Sequence, residues 1–387
     1  MKPLNLSQFP EDTYVLIESK KRKEIFQKLE KKLGFLTRSK DITSGALYDW
    51  KKGYMIKNKI KKIKRYIPLP KLKKLCKNIN ININNLHPYI QEIKTSSRSG
   101  LIKNPKLPLK IIPETFTLLG HFLGDGYGGE IGRSVYTNIS EEARKEFIKN
   151  LKKVFGDIYY STNPNHPYYI SVAKIAPKIL KKYFEIKDFR NSKPLLTKKI
   201  LNAPRKYLVE FIKAIIIDEG SVRDIGIEIG ITANPKLTNQ IKKICVKRLN
   251  YKCKEYKHSF RICTESYIQF SKDIPNLIIP HKQERFQRHF KRKFRKWYNR
   301  YKDSTKKEII KQLLSKPLDA IELSTNLNIM ASGIRDQING YNLKERRIPG
   351  LIDLEIVKVK NLGYRNIQIF EIANKNKAFA FINGEYK

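Results

Sequence analysis

The chain has 387 residues, room for roughly two to four domains, and carries 80 Lys and Arg against 36 Asp and Glu, a formal net charge of +44. With 40% hydrophobic and 11% aromatic residues it can bury real cores, which excludes wholesale disorder. A positive surplus this large repels itself in a compact state and points to a polyanionic partner, nucleic acid first, with a basic, heat-adapted composition as the plainer explanation.

The chain has no run of about 18 apolar residues, so no membrane span is expected. The start, Met1-Lys2-Pro3-Leu4-Asn5, lacks a signal-peptide apolar region, and a cytoplasmic protein is expected. The four cysteines, Cys76, Cys245, Cys253 and Cys263, form no C-x-x-C pair; reduced core thiols are expected rather than a zinc site. The six histidines form no H-x-x-x-H or H-x-E pattern.

Residues 1–108 read as a basic, helical region. A helix over 20–33 ends at Gly34, and a second short helix follows Thr43 or Ser44 as N-cap. Two helices around a short turn fit a helix-turn-helix reader or a plain helical bundle. The run 57–65 puts Ile60 and Ile63 on one side of a helix and Lys61, Lys64 and Arg65 around it, a rail for phosphates or a solvated face. Residues 95–108, with Ser96, Ser97, Ser99, Pro105 and Pro108, read as a linker.

A second region, 109–302, alternates helices with strand-like runs at 135–137, 158–160, 168–172, 225–232, 251–256 and 259–263. Its order of elements occurs twice. It closes on a cationic helix, 281–302, with Phe286, Phe290, Phe294, Trp297 and Tyr301 as one stripe, better suited to core packing than to base stacking. Arg288, Arg292 and Arg295 on its other faces are expected along a phosphate backbone. The last region, 303–387, reads as helices at 306–314, 318–327 and 331–339, then strands at 354–359 and 367–372. Three helices and a hairpin predict a winged helix, with Ser332, Arg335 and Gln337 reading base edges and Arg365 on the wing.

Two stretches of the middle region carry the chemistry. Leu118-Leu119-Gly120-His121-Phe122-Leu123-Gly124-Asp125-Gly126 and Ile212-Lys213-Ala214-Ile215-Ile216-Ile217-Asp218-Glu219-Gly220 are both apolar helices with small residues inside, closing on an acid and a glycine. Glu219 follows Asp125 by 94 positions, too long a period for a solenoid repeat. Gly120 and Gly124 share one helix face, and Ala214 stands at the matching point of the second helix. A helix-interior glycine costs about 1 kcal/mol against alanine, tolerable where two backbones must touch. Packed through Gly120, Gly124 and Ala214, the helices would bring Asp125 and Glu219 side by side. Two such carboxylates repel unless a cation lies between them, and hard oxygen donors without sulfur suit Mg²⁺.

On these two motifs the chain resembles the LAGLIDADG, or DOD-type, homing endonucleases over roughly residues 110–280. The second motif departs in having Ala214 where the family usually has glycine, Ile217 where it often has an acid, and Asp218 where it usually has a small residue. The first has Leu123 at that same often-acidic position. The resemblance implies an α+β monomer whose duplicated αββαββ core forms a saddle over double-stranded DNA. It implies Mg²⁺-dependent cleavage of both strands at a long asymmetric site read by the sheets. It assigns Asp125 and Glu219, each beside a glycine, as the metal-binding catalytic acids, and Lys174 and Lys257, by position, as basic residues of the active site. The ending, 381–387, shows no splice-junction His-Asn, so a free-standing protein is expected. A DNA-binding regulator that has lost cleavage and a splicing helper that binds structured RNA are the competing readings.

Overall fold

Helix Pro113–Leu123 forms because Pro113 fits a first helical turn and every residue from Thr115 to Leu123 is buried. Arg205–Glu219 likewise buries Tyr207, Leu208, Val209, Phe211, Ile212 and Ala214 to Ile217. These two motif helices pack against each other in the core of their unit. The computed structural model describes residues 1–33, 43–57, 61–95, 100–128, 134–189, 194–223, 225–290, 303–327, 329–343, 346–362 and 367–386. Helices and antiparallel sheets alternate along the described chain, an α+β fold.

Each motif helix opens the same succession of elements. After the first come strands Gly126–Gly128 and Ser134–Thr137, helix Glu141–Phe155, strands Tyr160–Asn163 and His166–Val172, and helix Ile175–Phe184. After the second come strands Gly220–Arg223 and Gly226–Ile229, helix Pro235–Lys247, strands Cys253–Glu255 and Phe260–Cys263, and helix Tyr267–Asp273. In both four-stranded sheets the spatial order is first, second, fourth, third. The duplication is therefore one of topology as well as of sequence.

The strands alternate as their register requires. Tyr136, Ile170 and Val172 point into the core, where the Tyr136 ring stacks on Phe147 at 4.2 Å between centroids. The intervening residues Val135, Thr137, Tyr169, Ser171 and Ser161 share the opposite face, paired as Thr137 with Tyr169, Val135 with Ser171, and Ser171 with Ser161.

The N-terminal region differs from its helical expectation. Helices Ser19–Leu33, Ser44–Lys52 and Leu69–Asn78 are present, with the Thr43 hydroxyl capping the second by accepting from the Ala46 amide at 3.2 Å. The region also supplies four strands of a five-stranded sheet in the order Ile67–Pro68, Tyr14–Ile17, Ile90–Lys94, Leu101–Lys103, Asp157–Ile158, the last from the middle region. The run around Lys61 to Arg65 is not a helix. It is a strand, Lys61–Lys64, paired antiparallel with Tyr54–Lys57, because backbone pairing overrides a weak three-residue apolar spacing. The segment read as a linker contributes strand Leu101–Lys103 to the sheet.

The chain splits into two compact units, residues 1–221 with 227–280, and residues 222–226 with 281–387. In the second, helices Ser304–Ser315, Ala320–Leu327 and Ala331–Asn339 surround Ile309, Ile310, Leu313, Leu323, Ile334, Ile338 and Phe370. Strand Leu318–Asp319 pairs with Ile367–Ile372, which pairs with Val357–Leu362. A hairpin, Tyr341–Leu343 with Arg346–Ile348, stands between the third helix and this sheet, and helix Lys375–Asn383 follows it.

Candidate functional site

The motif helices touch where their side chains vanish. A Cβ on Gly120 would lie 2.6 Å from the Ala214 Cβ and 2.9 Å from the Phe211 carbonyl oxygen. A Cβ on Gly124 would lie 2.8 Å from the Asp218 Cβ and 2.9 Å from its Oδ2. Counting along the two nine-residue motifs, the third positions meet each other and the seventh positions meet each other. The eighth positions, Asp125 and Glu219, therefore emerge at the same end of the pair. The glycines that follow serve space rather than an unusual φ. A Cβ on Gly126 would meet the Phe122 Cα at 2.4 Å, and one on Gly220 the Ile216 oxygen at 2.6 Å, so each strand leaves tight against its helix.

Asp125 is mostly buried. Burial, and then the charges of Asp218 and Glu219, push its carboxyl up to about 7; the Asn138 amide and His121 act against that rise. Asn138 Nδ2 donates to Asp125 Oδ2 at 2.9 Å and lies 3.2 Å from Asp218 Oδ1. Asp218, whose side chain is fully buried, also accepts from Tyr136 Oη at 2.8 Å and from His121 Nδ1 at 3.0 Å. Burial works against charge on His121, but the carboxylates around it, Asp218 first and then Glu146 and Asp125, together raise the imidazole. Burial and Asp218 together raise the Tyr136 phenol. Further polar links tie the halves together: Lys213 pairs with Glu146 at 3.0 Å, and Thr117 Oγ1 donates to Glu210 at 3.2 Å.

Local sequence fixes Asn138. Its Oδ1 accepts the Ser140 amide at 2.9 Å, and the Ser140 hydroxyl in turn caps helix Glu141–Phe155. Arg144 donates to the Asn138 carbonyl at 2.7 Å. Neither Asn138, Tyr136 nor His121 stood out in the sequence. The available signals were a lone histidine inside an otherwise apolar helix and an Asn-x-Ser helix start.

Two expected site residues fall elsewhere. In the first sheet Tyr136 pairs with Gly126, beside Asp125, whereas Val172 pairs with Ser134 and Ser134 with Gly128. Lys174, two residues past Val172, therefore lies at the far end of the sheet from Asp125 and is not placed to act there. Gln337 is 4% exposed and faces the core of its helix, because it shares a face with Ile334 and Ile338; it cannot read a base edge. Ser332 and Arg335 on that helix are exposed, and Asn339 joins them.

Lys257 is exposed in the turn where the Tyr256 amide bonds the Ser259 carbonyl at 2.9 Å. This turn touches Gly230, whose Cβ would lie 2.8 Å from the Ser259 Cβ. Gly230 follows the strand that folds back on Gly220–Arg223, so Lys257 is at the Glu219 end of its sheet. Lys61 lies on a strand. Lys64 pairs with Glu92 at 2.5 Å, Arg65 with Asp49 at 3.1 Å and Arg288 with Glu284 at 2.6 Å. Arg292, Arg295 and Arg365 lie outside the described residues.

Among the described residues no group of three or more His, Cys, Asp or Glu is arranged to hold a metal, and no helix is long and apolar enough to cross a membrane. Asp125 and Glu219 offer a pair of hard oxygen donors with surplus negative potential. That set fits an ion such as Mg²⁺, which keeps several waters and is bound through one or two carboxylates plus substrate phosphate.

No family model matches the sequence, and no curated protein matches it. Among solved structures, the homing endonuclease I-WcaI bound to its DNA recognition sequence aligns at 16% identity over 45% of this chain and 85% of its own, with a TM-score of 0.32. The N-terminal LAGLIDADG domain of WhiA aligns at 14% identity over 44% of this chain and 87% of its own, TM-score 0.31. Full-length WhiA from Thermatoga maritima aligns at 14% identity over 60% of this chain and 90% of its own, TM-score 0.30.

Proposed function

We propose that this protein is a site-specific DNA endonuclease that cleaves double-stranded DNA with Mg²⁺. The reading is carried by one observation: two helices in contact at matching positions put Asp125 and Glu219 in one electrostatic neighbourhood, where Asp125 is held near 7 by burial and by its acidic neighbours. Bound Mg²⁺ would supply polarisation of the phosphoryl oxygen and a more acidic water. Asp125 and Glu219 would hold it, and Asn138 orients Asp125. The open sheet face bearing Val135, Thr137, Tyr169, Ser171 and Ser161, rich in hydrogen-bonding groups, suits base-edge readout. Lys257 supplies positive charge at the Glu219 end. The C-terminal unit, with the element order of a winged helix, would add contacts through Ser332 and Arg335. The surplus of +44 suits a phosphate backbone.

A second reading is a DNA-binding regulator without cleavage. The buried Asp218–His121 pair favours it, since it places a partner for one acid of the cluster without any metal. One experiment separates the two. The protein is incubated with Mg²⁺ and a pool of duplexes that includes its own genomic neighbourhood, and new ends are sequenced. A nuclease gives discrete ends that Asp125→Asn or Glu219→Gln abolishes. Tight binding of one duplex with no ends under any divalent ion refutes the nuclease reading in favour of the regulator.

A further inference from the structure

We propose that Asp218 is a positioning residue, an anion of the second half that orients the acid of the first half through Asn138. The proposal rests on the metal-site reading above. Asp218 occupies the seventh motif position, opposite Gly124, and its side chain leans into the space that the missing Cβ leaves. Its donors among the described residues, His121, Tyr136 and Asn138, belong to the first half. A fully buried carboxylate is tolerated only with such partners. The amide nitrogen of Asn138 that approaches Asp218 Oδ1 also donates to Asp125 Oδ2, while the Asn138 Oδ1 is held by Ser140. The rotation of the Asn138 amide, and with it the direction of Asp125, is thus set from both ends.

Asp218 is not itself placed to bind the ion. Oδ1 accepts from Tyr136 and Asn138, Oδ2 from His121, and no part of the side chain reaches solvent. An ion that keeps several waters has no room there. Asp218 therefore acts one bond behind the ligand, in the way that outer partners tune metal sites.

The test uses the full chain and Mn²⁺ as the probe, with binding measured by calorimetry and the fold checked by circular dichroism. Asp125→Asn sets the scale, with a loss of about tenfold or more in Mn²⁺ affinity. Asp218→Asn should lose about tenfold with an unchanged spectrum, in line with outer partners of metal ligands. Tyr136→Phe removes one bond to Asp218 without touching Asp125 or Asn138. It should weaken Mn²⁺ by about threefold, and it decides the matter if Asp218→Asn does not fold. A merely structural role would lower the denaturation midpoint of these variants and leave Mn²⁺ affinity of the folded protein at the wild-type value; that result overturns the proposal while leaving the metal reading intact. If Asp125→Asn binds Mn²⁺ as wild type does, the metal reading falls, and the positioning role with it.

Discussion

The same substitution, glycine to alanine inside a helix, should have opposite effects at two positions. At Gly45, in helix Ser44–Lys52, an added Cβ meets nothing within 4 Å, so only the backbone gain remains, about 0.5–1 kcal/mol of stabilisation. At Gly120 that gain is opposed by contacts of 2.6 Å to the Ala214 Cβ and 2.9 Å to the Phe211 oxygen. Ordinary carbon contacts lie at about 3.5–4.0 Å, so the helices must part by roughly 1 Å. Overpacking of this kind costs about 1–3 kcal/mol. The net expectation for Gly120→Ala is a destabilisation of about 1–2 kcal/mol, together with weaker divalent-ion binding as Asp125 and Glu219 separate. Adding Ala214→Gly removes the Cβ contact but not the carbonyl contact, and should restore only part of the loss. Urea denaturation with an unchanged m-value measures all three proteins. If Gly120→Ala is stabilised as much as Gly45→Ala, the helices do not meet at that point, and the account of why the two acids are neighbours is wrong.

Three further expectations concern charge and contact. A carboxyl whose folded pKa is raised from 3.8 to about 7 binds protons more tightly folded than unfolded, so its contribution to stability falls as pH rises between those values and levels off above about 7. Asp125→Asn, measured without divalent ions, should therefore match wild type near pH 4 and exceed it at pH 8 by up to the order of 4 kcal/mol; an equal gain at both pH values contradicts this. Arg335→Ala should weaken duplex binding while leaving the unfolding midpoint unchanged, whereas Gln337→Ala, at a buried position, should do the reverse; fluorescence anisotropy and thermal unfolding separate them. Duplex affinity should fall linearly on a log–log plot against salt with a slope of several, and a flat response would mean that the cationic surplus is not used on phosphates.

The motif helices were legible because their pattern is local. Nine residues show an apolar face, a small residue at the third position, an acid and a glycine, and the repeat of strand, helix, strand, strand after each motif points to duplication. The network behind the acids was not legible. Asp218, His121, Tyr136 and Asn138 lie on three separate segments, and only the packing of Gly124 against Asp218 brings them together. The N-terminal sheet was missed for the same reason. Tyr14–Ile17 finds its partners at Ile67–Pro68 and Ile90–Lys94, far along the chain, while the lysine-rich intervening segments favour a helical reading. In Ala331–Asn339 the residue types suggested three base readers, yet the helical phase turns Gln337 inward with Ile334 and Ile338. Residue chemistry names a role, but the angle around the helix decides whether the residue can fill it.

The unlike residues at the seventh motif positions bear on how the duplicated halves are joined. A second copy of the first half in place of its partner would set glycine against glycine and leave a gap. A second copy of the second half would set two shielded aspartates face to face, without the tyrosine, asparagine and histidine that make one of them tolerable. The contact seen here, glycine against aspartate, needs one copy of each half. At this point each lobe is matched to its sibling rather than to itself, and carrying both on one chain keeps the unlike pair together.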